Sequence, residues 1–233
     1  MRILGLIPAR GGSKGVHRKN IRPLNGVPLI GYSIIAGLAS SVLDRVMVST
    51  EDEEIAGIAR ELGAQVPFLR PEALATDAAP TLKVVQHALE TLQAQGEDFD
   101  AVCLLQPTVP FRTATHIQEA VAAFEEANSD SLVSVAAIPH QYNPHWAFLP
   151  SDDGQHLHIA TGDAELISRR QELPTAYHRD GSIYLTKTSV LLNQDSLYGN
   201  SIAWYEPQGS PNINIDTEAD WQKAEAYLAA HER

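Results

Sequence analysis

The stretch "IPARGGSKGVHRKN", residues 7–20, gathers Arg10, Lys14, Arg18 and Lys19 around Gly11, Gly12 and Gly15, with no acid among them. Those residue types in one short loop suit a polyanion. Glycine takes positive φ freely and lets backbone N–H groups approach a ligand. Such N–H groups, lined up, form an anion cradle. Arg10, Lys14 and Lys19 would add charge-assisted hydrogen bonds of about 1.5–3 kcal/mol each. The loop is not the Walker-type phosphate loop, which needs four residues between its glycines and ends in Gly-Lys-Ser/Thr; here Lys14 precedes Gly15. Nor does it fit G-x-G-x-x-G. It reads as a triphosphate cradle of another kind, the plain alternative being a glycine turn with solvated lysines.

Other chemistries find less support. The sole cysteine, Cys103, lies in an apolar run, so neither a disulfide framework nor a thiol nucleophile is indicated. His156 and His158 alternate on the expected hairpin with no carboxylate run beside them and do not make a zinc site. Thr217 and Asp220 in "NINIDTEAD" fit the Thr-x-x-Asp start of a helix.

The basic loop must be held by something. "RILGLIP" reads as a buried strand, "PLIGYSIIAGLASS" as a helix beginning near Pro28, "DRVMVST" as a second strand and "DEEIAGIARELG" as an amphipathic helix. "AQVPFLR" reads as a short third strand, "APTLKVVQHALETLQAQG" as a helix with a stripe of Leu82, Val85, Leu89 and Leu92, and "DAVCLLQP" as an apolar strand. "TATHIQEAVAAFEEAN", "DSLVSVAAI", "GSIYLTK", "SIAWYEP" and "TEADWQKAEAYLAAHER" continue as helix, strand, strand, strand and helix. Apolar strands alternating with helices predict an α/β fold, a Rossmann-like three-layer sandwich with a mostly parallel central sheet. In such sheets ligands bind at the carboxyl ends of the strands, where the glycine loop and "LLQPTVPFR" both sit. Residues 139–180 break the pattern. They are polar and turn-rich, with a hairpin around Asp153-Gly154, and read as an inserted arm suited to dimer contact within a single domain, 1–233.

Composition narrows the partners. Residues 1–43 carry +6 and no acid, against a formal net charge of −12 for the chain, so the remainder carries −18. A body this acidic is poorly suited to nucleic acid; a local basic spot on it focuses a field on one small anion. No run approaches the roughly 20 apolar residues of a membrane span. "MRILGLIP" is too short for a signal-peptide core, so a cytoplasmic location is expected.

"IPARGGSKGVHRKN" followed by "PLNGVPLIGYSI", then "VSTEDEEIAGIARELGAQVPFLRPEALATD", "LLQPTVPFRTATHI", "RRQELPTAYHRDGSIY" and "NINIDTEADWQKAE", resembles the CMP-sugar synthetases, most closely the acylneuraminate cytidylyltransferases. The resemblance runs through nearly the whole chain. It implies that CTP is coupled to a 2-keto-3-deoxy sugar acid, the anomeric 2-hydroxyl attacking the α-phosphorus and pyrophosphate leaving, with Mg²⁺ and in a homodimer. It also implies roles. Arg10, Ser13 and Lys14 would hold the phosphates and Lys19 the α-phosphate; Asn20 and Arg70 would position ribose and cytosine, with Thr81 near the base. Gln106 would contact the sugar acid, Arg170 its carboxylate, Tyr184 would line the sugar pocket, and Asp216 would be the metal ligand. Arg10, Lys19 and Asp216 are the catalytic candidates. The chain departs from the family at Asn214, where relatives often carry a second Asp, and at His178 and Asp180, where Arg and Asn are common. The alternatives are the same reaction on another acid sugar (legionaminate, pseudaminate or the eight-carbon acid of lipopolysaccharide), another nucleotide, or a non-catalytic nucleotide-binding module.

Overall fold

The computed structural model describes residues 1–231 and divides into two compact units, one of Met1–Ser134 with Asp180–Arg233 and the other of Val135–Arg179. In the first unit the strands are β1 (Ile3–Pro8), β2 (Pro23–Leu24), β3 (Val27–Pro28), β4 (Arg45–Ser49), β5 (Ala101–Leu104), β6 (from Ser131), β9 (to Lys187) and β10 (Ile202–Tyr205). Its helices are α1 (Leu29–Ser40), α2 (Glu53–Glu61), α3 (Thr81–Ala94), α4 (Ala114–Ala127), α5 (Thr188–Asn193) and α6 (Glu218–His231).

Six strands form one sheet in the order β10-β6-β9-β5-β1-β4. β1 is parallel to β4 and β5, β10 is parallel to β6, and β9 runs antiparallel to β5. The expected mostly parallel α/β sheet is what the chain forms. Its central strands β1 and β5 are apolar on both faces because both are covered. On one face Ile3 and Ile7 of β1 meet Ile30 and Ile34 of α1, Ala56 of α2, and Ile117 and Phe124 of α4. Leu4 and Leu6 point the other way and are equally buried. α3 packs against β1 and against α5.

The helices start where local chemistry permits. Asp52 caps α2, its Oδ1 accepting from the backbone N–H groups of Glu54 and Ile55 at 3.0 Å each. Thr113 and His116 form a reciprocal capping box on α4. Pro28 stands just before α1 and also closes the β2–β3 hairpin, paired with Pro23. That hairpin turns on Asn25-Gly26, both at positive φ, as a two-residue hairpin of this kind requires.

Three expectations change. "AQVPFLR" is not a strand: Gln65 makes a lone bridge to Met47, and Pro67 removes the next donor. On the predicted α3 stripe, Val85, Leu89 and Leu92 are buried, but Leu82 is only half-buried. The short helix α5 went unread.

The second unit carries a hairpin of β7 (Phe148–Pro150) and β8 (Leu157–Ile159), with Phe148 opposite Ile159. Asp153 fixes its turn by accepting from the backbone N–H groups of Gln155 and His156. Asn143 donates to Pro174 O at 2.9 Å and Trp146 Nε1 to Ile167 O at 2.6 Å, tying the unit's ends to its middle.

Candidate active site

The first unit holds a cavity of about 320 Å³ beyond the ends of β1 and β5. Arg10, Ser13, Lys19, Asn20, Arg70, Thr81, Gln106 and Asp216 all line it, eight of the eleven residues singled out in the sequence. They come from positions as far apart as 10 and 216, so the fold itself brings them together.

The glycine loop is shaped by contact rather than by unusual dihedrals. Positive φ is adopted by Arg18, not by Gly11, Gly12 or Gly15, contrary to the expectation that the glycines would use it. Their value lies in the missing side chain. A Cβ on Gly15 would run into the backbone carbonyl of Asp216, and one on Gly11 into the carboxylate of Asp52, whereas Gly12 faces open space. Val16 anchors the loop in a fully buried cluster with Leu24, Leu29, Ile215 and Trp221, each such side chain contributing about 1.5–3 kcal/mol by burial. The same cluster therefore seats both the loop and the segment that carries Asp216. Asn20 closes the loop by donating from Nδ2 to Arg10 O at 2.9 Å.

Lys19 is only 12% exposed; its Nζ donates to Ile215 O at 2.8 Å and pairs with Asp216 Oδ1 at 2.9 Å. The other Asp216 oxygen accepts from Asn214 Nδ2 at 2.7 Å. Asn214 thus offers Asp216 a donor rather than an oxygen to a cation. Asp216 does not cap α6; Thr217 and Asp220 do, their side chains hydrogen-bonding reciprocally to backbone. The hydrogen bond from Thr217, with Lys223 behind it, pulls the Asp220 carboxyl down to about 2. Asp216 is consequently spared for other work.

At the opposite wall Asp77 bridges two of the loop's cations. Arg10 Nη1 meets one of its oxygens and Lys14 Nζ the other, both at 2.6 Å. The Lys14 hydrogen bond, ahead of the Arg10 one, keeps this carboxyl below its usual range. Glu51 bridges similarly, accepting from Gly11 N at 2.7 Å and from the buried Arg70 Nη2 at 2.8 Å. Arg70 Nε, also buried, has no hydrogen-bond partner among the described residues. Arg18 is committed elsewhere, to Asp52 and Glu54 of α2.

Gln106 is held from beneath by Arg112, whose fully buried guanidinium donates to Gln106 O, to Ser182 O at 2.9 Å and to Ser33 Oγ at 2.6 Å. Burial without a carboxylate in contact brings the Arg112 pKa down to about 10. Arg112, Glu51 and Asp77 were missed as site residues. Arg112 and Glu51 follow strand ends in segments already quoted, which is the one signal that could have found them. Tyr184 is buried in β9 opposite Leu104 and is not among the cavity's lining residues. Arg170 lies exposed in a short helical turn of the second unit. Asp180 is turned inward, accepting from Ser134 Oγ and Ser182 N, rather than free to repel an acidic ligand.

Asp216 is the lone carboxylate of the wall beside Lys19, and no group of three His, Cys, Asp or Glu residues is arranged to hold a metal among the described residues. Mg²⁺ commonly takes one or two carboxylates and completes its shell with water and substrate phosphates. The donor set therefore fits a divalent cation arriving on a polyphosphate better than a resident one.

Comparison with known proteins agrees with this chemistry. A pseudaminic acid cytidylyltransferase of Campylobacter jejuni is 35% identical over 233 residues, covering 100% of this chain and 99% of that one. A CMP-N,N'-diacetyllegionaminic acid synthase of Legionella pneumophila is 36% identical over 237 residues, covering 98% and 97%. A solved CMP:2-keto-3-deoxy-manno-octonic acid synthetase complexed with CTP shares the fold, with a TM-score of 0.74 over 100% of both chains at 16% identity. The family described as cytidylyltransferase matches residues 4–229. By that match, and by two full-length relatives above 30% identity, the chain belongs to the cytidylyltransferase family.

Proposed function

We propose that the chain couples CTP to a nonulosonic acid, a nine-carbon 2-keto-3-deoxy sugar acid, releasing pyrophosphate and forming the CMP-sugar. The observation that carries the reading is the convergence of Arg10, Ser13, Lys19, Asn20, Arg70 and Asp216 on one cavity. The phosphates would lie along Arg10, Ser13 and Lys14. Lys19, which already points its Nζ at the Asp216 wall, would turn to the α-phosphate, where negative charge grows in the transition state. Arg70, whose Nε has no partner among the described residues, would meet the ribose and base together with Asn20 and Thr81. Gln106 would contact the sugar acid. Arg170 and Tyr184 keep their proposed sugar roles on the resemblance alone.

The anomeric hydroxyl attacks the α-phosphorus and pyrophosphate leaves. Its proton passes to Asp216 or to water. Asp216 would hold a divalent cation, proposed to be Mg²⁺, which would supply charge neutralisation at the phosphates and a lower pKa for the hydroxyl. The rest is positioning.

The two relatives named for pseudaminic and legionaminic acid stand at nearly equal identity, so either acid is as well supported as N-acylneuraminate. Pyrophosphate release measured with CTP, UTP or GTP against N-acetylneuraminate, legionaminate, pseudaminate and the eight-carbon acid tests the reading. Release with CTP and one nine-carbon acid is expected; release with no acid would refute it. We further propose a cytoplasmic homodimer that uses residues 139–180. Tyr142, Phe148, Leu149, Leu157 and Leu166 expose apolar surface there, and light scattering would read the dimer's mass.

A further inference from the structure

We propose that Asp77 is a built-in substitute for the substrate's phosphates: its carboxylate occupies the places of the β- and γ-phosphates on Arg10 and Lys14, and a pyrophosphate group must displace it to bind. The inference rests on the nucleotide reading above and deepens it.

The geometry is that of a substitute ligand. Each Asp77 oxygen takes one cation at 2.6 Å, the way two phosphate oxygens would. Lys14 is 84% exposed and could extend into water, yet it turns to Asp77. Asp77 itself is 44% exposed. Ion pairs this exposed add little to folding, so stability is a weak reason for the arrangement. The Lys14 hydrogen bond is the main influence lowering this carboxyl below its usual range. It sits in the turn before α3, where Ala79 N donates to Thr76 O at 3.2 Å.

Charge decides the exchange. One carboxylate on two cations leaves a single positive charge. An anion bringing one charge gains nothing by replacing it, whereas a pyrophosphate group brings at least two and gains bidentate contacts. CMP, lacking β- and γ-phosphates, would contact Lys19 and leave Asp77 in place. The carboxylate also helps expel the product, because it returns to both cations as pyrophosphate departs.

Calorimetry on the wild type, Asp77→Asn and Asp77→Glu, titrated with pyrophosphate, CTP and CMP, tests this without sugar or turnover. Asp77→Asn should bind pyrophosphate and CTP roughly three- to tenfold more tightly, the range two exposed ion pairs allow, and CMP equally well. Asp77→Glu should stay near the wild type, and melting temperatures should match. Unchanged or weaker pyrophosphate binding by Asp77→Asn would overturn the proposal. So would equal tightening toward CMP, which would mark a general change of surface potential. No uptake of CTP or pyrophosphate by the wild type would bring down the nucleotide reading itself, a distinguishable failure.

Discussion

A single methyl group at Gly15 should disable the enzyme while leaving it folded. A Cβ built there lies 3.1 Å from the Asp216 carbonyl carbon. Carbon atoms settle at about 3.5–4.0 Å, and the carbonyl oxygen, about 1.2 Å along its bond, is nearer still. The obstacle is backbone, so no side chain can rotate away. Relief requires the loop and the Asp216 segment to part by roughly 1 Å. Lys19 and Asp216 sit on the two sides of that seam, 2.9 Å apart. A displacement of that size at a positioned group costs on the order of 100-fold in rate. Overpacking also costs about 1–3 kcal/mol, or a few degrees of Tm in a chain of this length. Pyrophosphate release by Gly15→Ala should therefore fall about 100-fold, with a cooperative melt retained. Gly57→Ala, in α2 and away from the cavity, is the internal control, since its Cβ would meet nothing within 4 Å. Gly15→Ala turning over within a few-fold of the wild type, or Gly57→Ala failing as badly, would refute the steric argument.

Other outcomes follow from neighbouring contacts. Asp216→Ala should abolish most turnover with an unchanged Tm, because α6 is capped by Thr217 and Asp220 instead; a large loss of Tm would return Asp216 to a structural role. Removing Arg112 (Arg112→Met) strands Gln106 O, Ser182 O and Ser33 Oγ together, and should cost roughly 3–5 kcal/mol in urea unfolding, the range for a broken buried network. The Asp220 carboxyl, lowered to about 2 by the Thr217 hydrogen bond, stabilises the fold above its unfolded pKa near 4. That contribution is lost as pH falls from about 4 through 2. Asp220→Asn should flatten this acid limb of a Tm-versus-pH curve, and an unaltered limb would count against the cap.

The sheet was legible because its central strands are mostly apolar runs, ILGLIP in β1 and AVCL in β5, and the helices because their acids, prolines and caps fall where helix ends need them. What escaped had weaker local signals. "AQVPFLR" has strand-like composition, but Pro67 takes away the donor a ladder needs, which composition does not weigh. The six residues of α5 are too few for periodicity to register. Within the site, the cations stood out since nothing acidic surrounds them in sequence. Their partners did not: Asp77 lies 67 positions from Arg10, and Glu51 lies 40 from Gly11 and 19 from Arg70, and only the folded chain brings them near. Arg112 carries no local sign of burial after "VPF", and two of its three acceptors, Ser182 O and Ser33 Oγ, lie on other elements. The glycines were noticed for dihedral freedom when their use is closeness.

The apolar cluster of Val16, Leu24, Leu29, Ile215 and Trp221 has a consequence for biogenesis. Lys19 finds Asp216 across 197 positions of sequence, so the two halves of the reaction centre emerge from the ribosome many seconds apart at the usual pace of synthesis. The nascent sheet can assemble early, but the loop waits, its hydrophobic anchor unpartnered, until Trp221 has been made. A chain stalled before that residue would be largely shaped yet chemically inert.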